Sequence, residues 1–262
     1  MKPTKSILAL CCIFCCFAVN GQTKEKRDYF LDTSSVPIYD WKTINIGFPA
    51  SEGTEQIPFD PLLRIDTIST QEFLKLSKKY GSSIVMDTTL ITRTDTSFTI
   101  QVEESQITFA SNVICECTSS DYAGLIVPLN LFFVYSVDMH NEIAYANLVD
   151  KRTGKFFGVP SDFDQGPQDI LLSPQEGFLL TYSSSYYEHD NSGIYIMSID
   201  RDQEKKKFAL NNYLNINFDR LNIEDLAWIS ENAFVMSVTE QLNPEDNDAQ
   251  KIKYCLKITL KK

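Results

Sequence analysis

Two histidines, His140 and His189, set the first limit on the chemistry this chain could carry. Nucleophilic catalysis needs an activated serine or cysteine with a base in reach, and no Gly-x-Ser-x-Gly turn accompanies either histidine. His140, followed by Asn141 and Glu142, reads as a turn residue, while His189 sits in a polar loop. Cys115-x-Cys117 on a strand would point both thiols to one face, but no second pair or neighbouring histidine completes a zinc set. Asp162-x-Asp164-x-Gly166 and the run Glu245 to Asp248 offer the oxygen ligands calcium prefers, yet neither completes an EF-hand loop, so both read as solvated acidic loops. Phosphate-binding glycine loops are absent. No metal and no cofactor is therefore expected. A carboxylate pair for glycoside hydrolysis stays open as an alternative, because 35 acidic residues can pair in space in ways that spacing does not reveal.

The remaining candidate is the loop from Ser183 to Ser192, which places Tyr186, Tyr187 and His189 among Ser, Glu, Asp and Asn. Tyrosine joins a large apolar body to a polar tip, the combination favoured at binding surfaces. These three are the candidate binding residues.

The elements that must position such a loop are mostly strands. From Ser83 onward, short runs rich in Val, Ile, Thr, Phe and Tyr alternate with turn clusters such as Asp150 to Gly154 and Asp190 to Gly193. One helix is expected near 70–80, with Ser69 as N-cap, Glu72 as its capping-box partner and Gly81 as the stop. Residues 22–82 otherwise read as an irregular segment broken by Pro37, Pro49, Pro58 and Pro61. Asp169 to Ser183 lies without gaps over Asp225 to Thr239, and a fainter copy at Leu125 to Tyr135 sets Pro128 over Pro174 and Phe132 over Phe178. A second element recurs between these hairpins, at Tyr145 to Asp150, Tyr195 to Asp200 and Tyr254 to Thr259. Two interleaved registers in one order are the signature of stacked repeat units.

Ser173-Pro-Gln-Glu-Gly-Phe-Leu-Leu-Thr-Tyr-Ser183, a polar loop, then Gly193-Ile-Tyr-Ile-Met-Ser-Ile-Asp200 resembles the repeat of TolB-type β-propellers. Gln175-Glu176-Gly177 stands where that repeat has Asp-Gly, and the other copies keep the apolar frame without the turn signature. The resemblance implies an all-β, β-propeller-like array over residues 83–262. About 40 to 50 residues make a blade, so about four blades fit, with an incomplete ring as the alternative to a closed one. In such a ring the last strand closes against an early blade, which makes a bridge from Cys255 to Cys115 or Cys117 an expectation.

Composition and targeting signals set the compartment and the partners. The chain has 262 residues, 43% of them hydrophobic, and a formal net charge of -11, which fits a folded chain and not a disordered one. Lys2 and Lys5 precede a charge-free apolar run from Ile7 to Val19, the pattern of a secretory signal peptide cleaved before Gln22. The run is too short to span a bilayer, and no later segment approaches spanning length. A lipoprotein, the alternative, would need a cysteine directly after a small residue, whereas Cys11, Cys12, Cys15 and Cys16 follow Leu10, Cys11, Phe14 and Cys15. Loss of residues 1–21 leaves 22 basic against 35 acidic residues, a net charge of -13. That excess disfavours nucleic acid and anionic membranes and favours a basic protein or peptide. The function expected is an exported protein- or peptide-binding module without catalytic activity, located in the periplasm or outside the cell. A secreted glycan hydrolase and an inhibitor or immunity-type protein are the alternatives.

Overall fold

The computed structural model describes residues 30–31, 41–47, 61–78, 84–103, 105–111, 118–161, 164–184, 191–241 and 251–261. Along the chain run β1 (Phe30–Leu31), β2 (Thr43–Gly47) and β3 (Leu63–Ile68), then helix α1 (Thr70–Ser77) and β4 (Ile84–Val85). Next come β5 (Ile91–Arg93), β6 (Ser97–Gln101) and β7 (Gln106–Ala110), then β8 (Thr118–Ile126), β9 (Leu131–Asp138), β10 (Ile143–Asp150) and β11 (Phe156–Val159). The chain continues through β12 (Asp169–Leu172), β13 (Phe178–Ser184), β14 (Ser192–Asp202) and β15 (Lys207–Asp219), and finally β16 (Leu221–Ser230), β17 (Ala233–Gln241) and β18 (Lys251–Leu260). The fold is all-β, in four separate sheets with one α-helix among the described residues.

Each sheet is an antiparallel meander in chain order. Sheet I is β5-β6-β7; sheet II is β8 to β11 with β4 added beside β8; sheet III is β12 to β15; sheet IV is β16 to β18. Strand alternation buries one set of side chains on each face, and consecutive sheets share these sets. Phe98, Ile100 and Phe109 of sheet I pack on Phe132, Val134 and Val149 of sheet II. Leu131, Phe133 and Leu148 of sheet II meet Leu179, Met197 and Leu210 of sheet III. Leu180, Ile194 and Ile216 of sheet III meet Trp228, Met236 and Ile258 of sheet IV. The far face of sheet IV carries Ile229, Val235 and Cys255, which Phe73 and Leu76 of α1 cover.

Helix α1 begins as its sequence dictates: Ser69 is extended (φ -73°, ψ 155°) and its side chain accepts from the Glu72 N–H at 3.2 Å. It ends at Ser77 with Lys78 as C-cap, short of Gly81, which lies outside the described residues.

The segment read as irregular supplies strands instead. β1 and β2 add in parallel to β15, and β3 adds antiparallel to β18, pairing Leu63 with Leu260 and Cys255 with Ile68. Leu31, Ile46 and Leu63 are buried there. β3 thus fills in sheet IV the fourth-strand place that β11 and β15 fill in sheets II and III. Sheets III and IV are also pinned by hydroxyls: Ser184 donates to Ser192 Oγ at 2.7 Å, and Ser192 donates to the Leu221 carbonyl at 2.6 Å. The Ile223 N–H donates to both hydroxyl oxygens at 3.2 Å.

Candidate functional site

Sheet I has two unlike faces because polar and apolar residues alternate along its strands. Phe98, Ile100, Ile107 and Phe109 point to sheet II, with Phe98 and Phe109 stacked at 5.0 Å. The outer face carries Thr92, Thr99 and Thr108 in one cross-strand row, with Gln101 opposite Gln106. The two threonine hydroxyls of Thr99 and Thr108 lie 2.9 Å apart, and Gln106 Nε2 donates to Gln101 Oε1 at 2.9 Å. Gln101 Nε2 in turn donates to the carbonyls of Val102 and Ser105 at 2.9 and 3.0 Å, which fixes both amides in one orientation.

A 3-10 turn, Thr88–Leu90, forms one wall beside this face. Asp87 caps it, accepting from the Thr89 N–H at 3.0 Å and the Thr89 hydroxyl at 2.6 Å. Those two bonds, followed by the pull of Lys151, hold the Asp87 carboxyl below its ordinary value. Lys151 comes from the β10–β11 turn, with its ammonium 5.9 Å from the Phe132 ring centre, and its carbonyl accepts from the Glu103 N–H at 3.0 Å. Buried Asp150 shapes that turn by accepting from the N–H groups of Arg152 and Thr153 at 2.9 and 2.7 Å. Together these elements enclose an open groove of about 490 Å3, lined by Thr89, Ile91, Thr92, Thr99, Gln101, Gln106 and Lys151, with Leu90 alongside. Its lining offers hydroxyls, primary amides and one cation, and neither a nucleophile with a base nor a carboxylate pair. Such a surface can hydrogen-bond a polar chain, with Lys151 able to meet a carbonyl or carboxylate oxygen; bond-making chemistry would need groups it does not present.

The candidate residues read from sequence are distributed elsewhere. Tyr186, Tyr187 and His189 fall in 185–190, the connection from β13 to β14, which lies outside the described residues. Cys115 and Cys117 also lie outside them. Cys255 is a free, buried thiol beneath α1, donating to Thr70 Oγ1 at 3.9 Å. The backbone N–H of His140 donates to Asp138 Oδ1 at 3.0 Å in the exposed β9–β10 turn. Among the described residues, no three His, Cys, Asp or Glu side chains gather as a metal site. No helix among them is long and apolar enough to cross a membrane.

Two features were not read from the sequence. The groove is one. The other is a carboxylate neighbourhood between repeats: Asp169 and Asp225 align in the two repeat sequences, and burial, followed by the charge of Asp225, raises the pKa of Asp169. The repeat alignment could have flagged that pair, whereas threonines and glutamines on a strand gave no chemical signal to flag the groove. No protein-family model, curated protein or solved structure matches the chain.

Proposed function

We propose that the protein is an exported, acidic module that binds a polypeptide partner without chemical turnover, built as an open propeller-like array of four sheets. The array reading is supported by three successive meanders whose first two strands follow the hairpin repeat and whose third begins the Tyr-led element at Tyr145, Tyr195 and Tyr254. Openness is supported by α1, which covers the face of sheet IV that a closed ring would turn toward sheet I. The observation that carries the binding reading is the groove on the outer face of sheet I, a preformed recess with internally braced polar groups. The net charge of -13 left by removal of residues 1–21 favours a basic partner and faster, salt-sensitive association. The loop bearing Tyr186, Tyr187 and His189 is proposed as a second recognition element at the rim.

The partner is to be isolated by co-purification from the native envelope and its affinity measured against variants. Thr99→Arg fills the groove and Lys151→Glu reverses its one charge. Each is expected to weaken binding by about tenfold, on the order of 1.4 kcal/mol, with the melting temperature held. Replacing Tyr186 and Tyr187 together by Ala should weaken binding through the rim. Unchanged affinity in both groove variants would overturn the groove, and turnover of a glycan by the purified protein would overturn the binding reading itself.

A further inference from the structure

Among the described residues, sheet I is one strand short of its neighbours. Sheets II and III each run four strands in chain order, and sheet IV reaches four by taking β3 from a segment far away in sequence. This architecture therefore completes a sheet with a strand from outside its own meander. In sheet I, β7 is the edge where that fourth strand would lie, and no described strand pairs with it.

The hydrogen-bond parity of the β6–β7 ladder shows which groups are open. Ser111 N–H donates to the Thr96 carbonyl and Val102 N–H to the Ser105 carbonyl, at 2.8 and 3.1 Å. Bonded and non-bonded pairs alternate in an antiparallel ladder, so Ile107 and Phe109 bond to β6 while Gln106, Thr108 and Ala110 turn their N–H and C=O outward. Among the described residues these outward groups form an unpaired edge.

The neighbouring sheet carries the mark of the same missing strand. On β10 and β11, the residues in the face toward sheet I are Asn147, Val149 and Phe156, continuing upward to Tyr145 and Ile143. Phe156 is 45% exposed, Tyr145 37% and Ile143 42%, whereas Phe132, Val134 and Val149 on the same face are buried. The Phe156 ring lies 5.9 Å from that of Phe109 on β7. A strand added about 4.8 Å beyond β7 would set its alternate side chains over Phe156 and toward Tyr145.

From the β7 edge that no described strand pairs with and the exposed Phe156, Tyr145 and Ile143 on the facing sheet, we infer that this corner binds an extended peptide as the fourth strand of sheet I. The occupant carries apolar residues at alternate positions and a basic residue at one end. Main-chain bonds to Gln106, Thr108 and Ala110 supply affinity, and the apolar patch supplies register. Charge selects the basic end, because Asp138 pairs with Ile143 across the strands, Glu142 precedes it, and the chain as a whole carries -11. This inference rests on the proposal that the protein binds a polypeptide, and gives the mode of binding.

The test uses the full chain and a synthetic peptide of about nine residues that alternates valine and threonine between lysine pairs, with a scrambled peptide as control. Backbone amide exchange is read for Gln106, Thr108 and Ala110, together with peptide anisotropy. The alternating peptide is expected to slow exchange of those amides by at least about tenfold, while the scrambled one does not. Thr108→Pro removes an outward N–H without breaking a β6 bond and should abolish binding; Thr108→Val should retain it, and Phe156→Ser should weaken it. Peptide binding that survives Thr108→Pro, or that leaves the amides exchanging freely, overturns the edge assignment. The polypeptide-binding proposal falls separately, by the groove variants against the isolated partner. Amides already protected in the free monomer would assign the edge to a segment of this chain, and protection that appears with a doubled mass would assign it to a second copy. Either result overturns the inference.

Discussion

Glu231 offers the sharpest test of how sheets III and IV are held in register. It sits in the turn between β16 and β17 and reaches into the turn between β12 and β13. Its Oε1 accepts from the Ser173 hydroxyl at 2.9 Å and the Gly177 N–H at 2.8 Å, and its Oε2 accepts from the Gln175 N–H at 2.7 Å. Arg201 braces the same turn by donating to the Glu176 carbonyl at 2.9 Å and to its carboxylate at 3.1 Å. Hydrogen bonds to a charged acceptor contribute about 1.5 to 3 kcal/mol each when buried, and Gln175 is exposed. Three such bonds, discounted for solvent, make Glu231→Ala cost about 3 kcal/mol. At about 2 to 4 °C per kcal/mol for a chain of this size, the melting temperature should fall by about 6 to 12 °C. Gly177 supplies the second arm of the test, because a Cβ there would lie 2.2 Å from Glu231 Oε1. Gly177→Ala should therefore destabilise the native chain by expelling the carboxylate, and should cost far less once Glu231 is Ala. Urea and thermal unfolding of the two single variants and the double variant give the coupling energy directly, expected at about 2 kcal/mol. Strict additivity, or a Glu231→Ala variant that melts with the wild type, would refute the clamp.

Two further perturbations probe buried polar groups. Tyr122 is buried against Phe132 and its hydroxyl has no hydrogen-bond partner among the described residues; burial, followed by the charge of Asp87, pushes its pKa up to about 12. Tyr122→Phe removes the unpaired hydroxyl and leaves the ring, so it should stabilise by about 1 kcal/mol in urea unfolding; a loss of that size would instead reveal a bridging water. Asp169 has its folded-state pKa raised above the usual 3.8, chiefly by burial and further by Asp225. The folded chain therefore holds this proton more tightly than the unfolded chain, and the linked stability is present below 3.8 and lost as pH rises through the raised value. Asp169→Asn should flatten the stability profile over that window and melt higher at neutral pH; a lower neutral melting temperature with the original slope would contradict this.

Where local pattern and repeat agree, the fold was legible. Asp169 to Ser183 and Asp225 to Thr239 align as sequences, and both form hairpins, with Phe178 opening β13 and Phe234 near the start of β17. The fainter copy also forms a strand pair, but Pro128 lies in a 3-10 turn, Val127–Leu129, that ends on left-handed Asn130 at φ 56°. The N-terminal strands were illegible for a different reason. β1 has two residues and pairs with Lys207 and Phe208, and β3 pairs with the end of the chain. Short segments like these become strands through tertiary partners, so proline content and polarity around them misread as irregularity.

The site was hidden by the same long-range logic. Thr92, Thr99 and Thr108 become a row only once three strands are in register, and Lys151 reaches their groove from the next sheet's turn. Tyr186 and Tyr187 stood out by composition alone, since aromatic residues amid Ser and Asp are visible in one dimension. An unfilled strand position has no such sign. It shows only in three dimensions, in the three strands of sheet I beside four-stranded neighbours and in the exposure of Phe156, Tyr145 and Ile143 on a face where Phe132, Val134 and Val149 are covered. A deletion of β3 would make the comparison experimental: exposing the β18 edge and Leu260 should create in sheet IV the kind of vacancy that sheet I already has. If the alternating peptide then bound both edges, strand completion would be a general property of these sheets. If it bound β7 alone, Phe156 and its neighbours would be the source of selectivity.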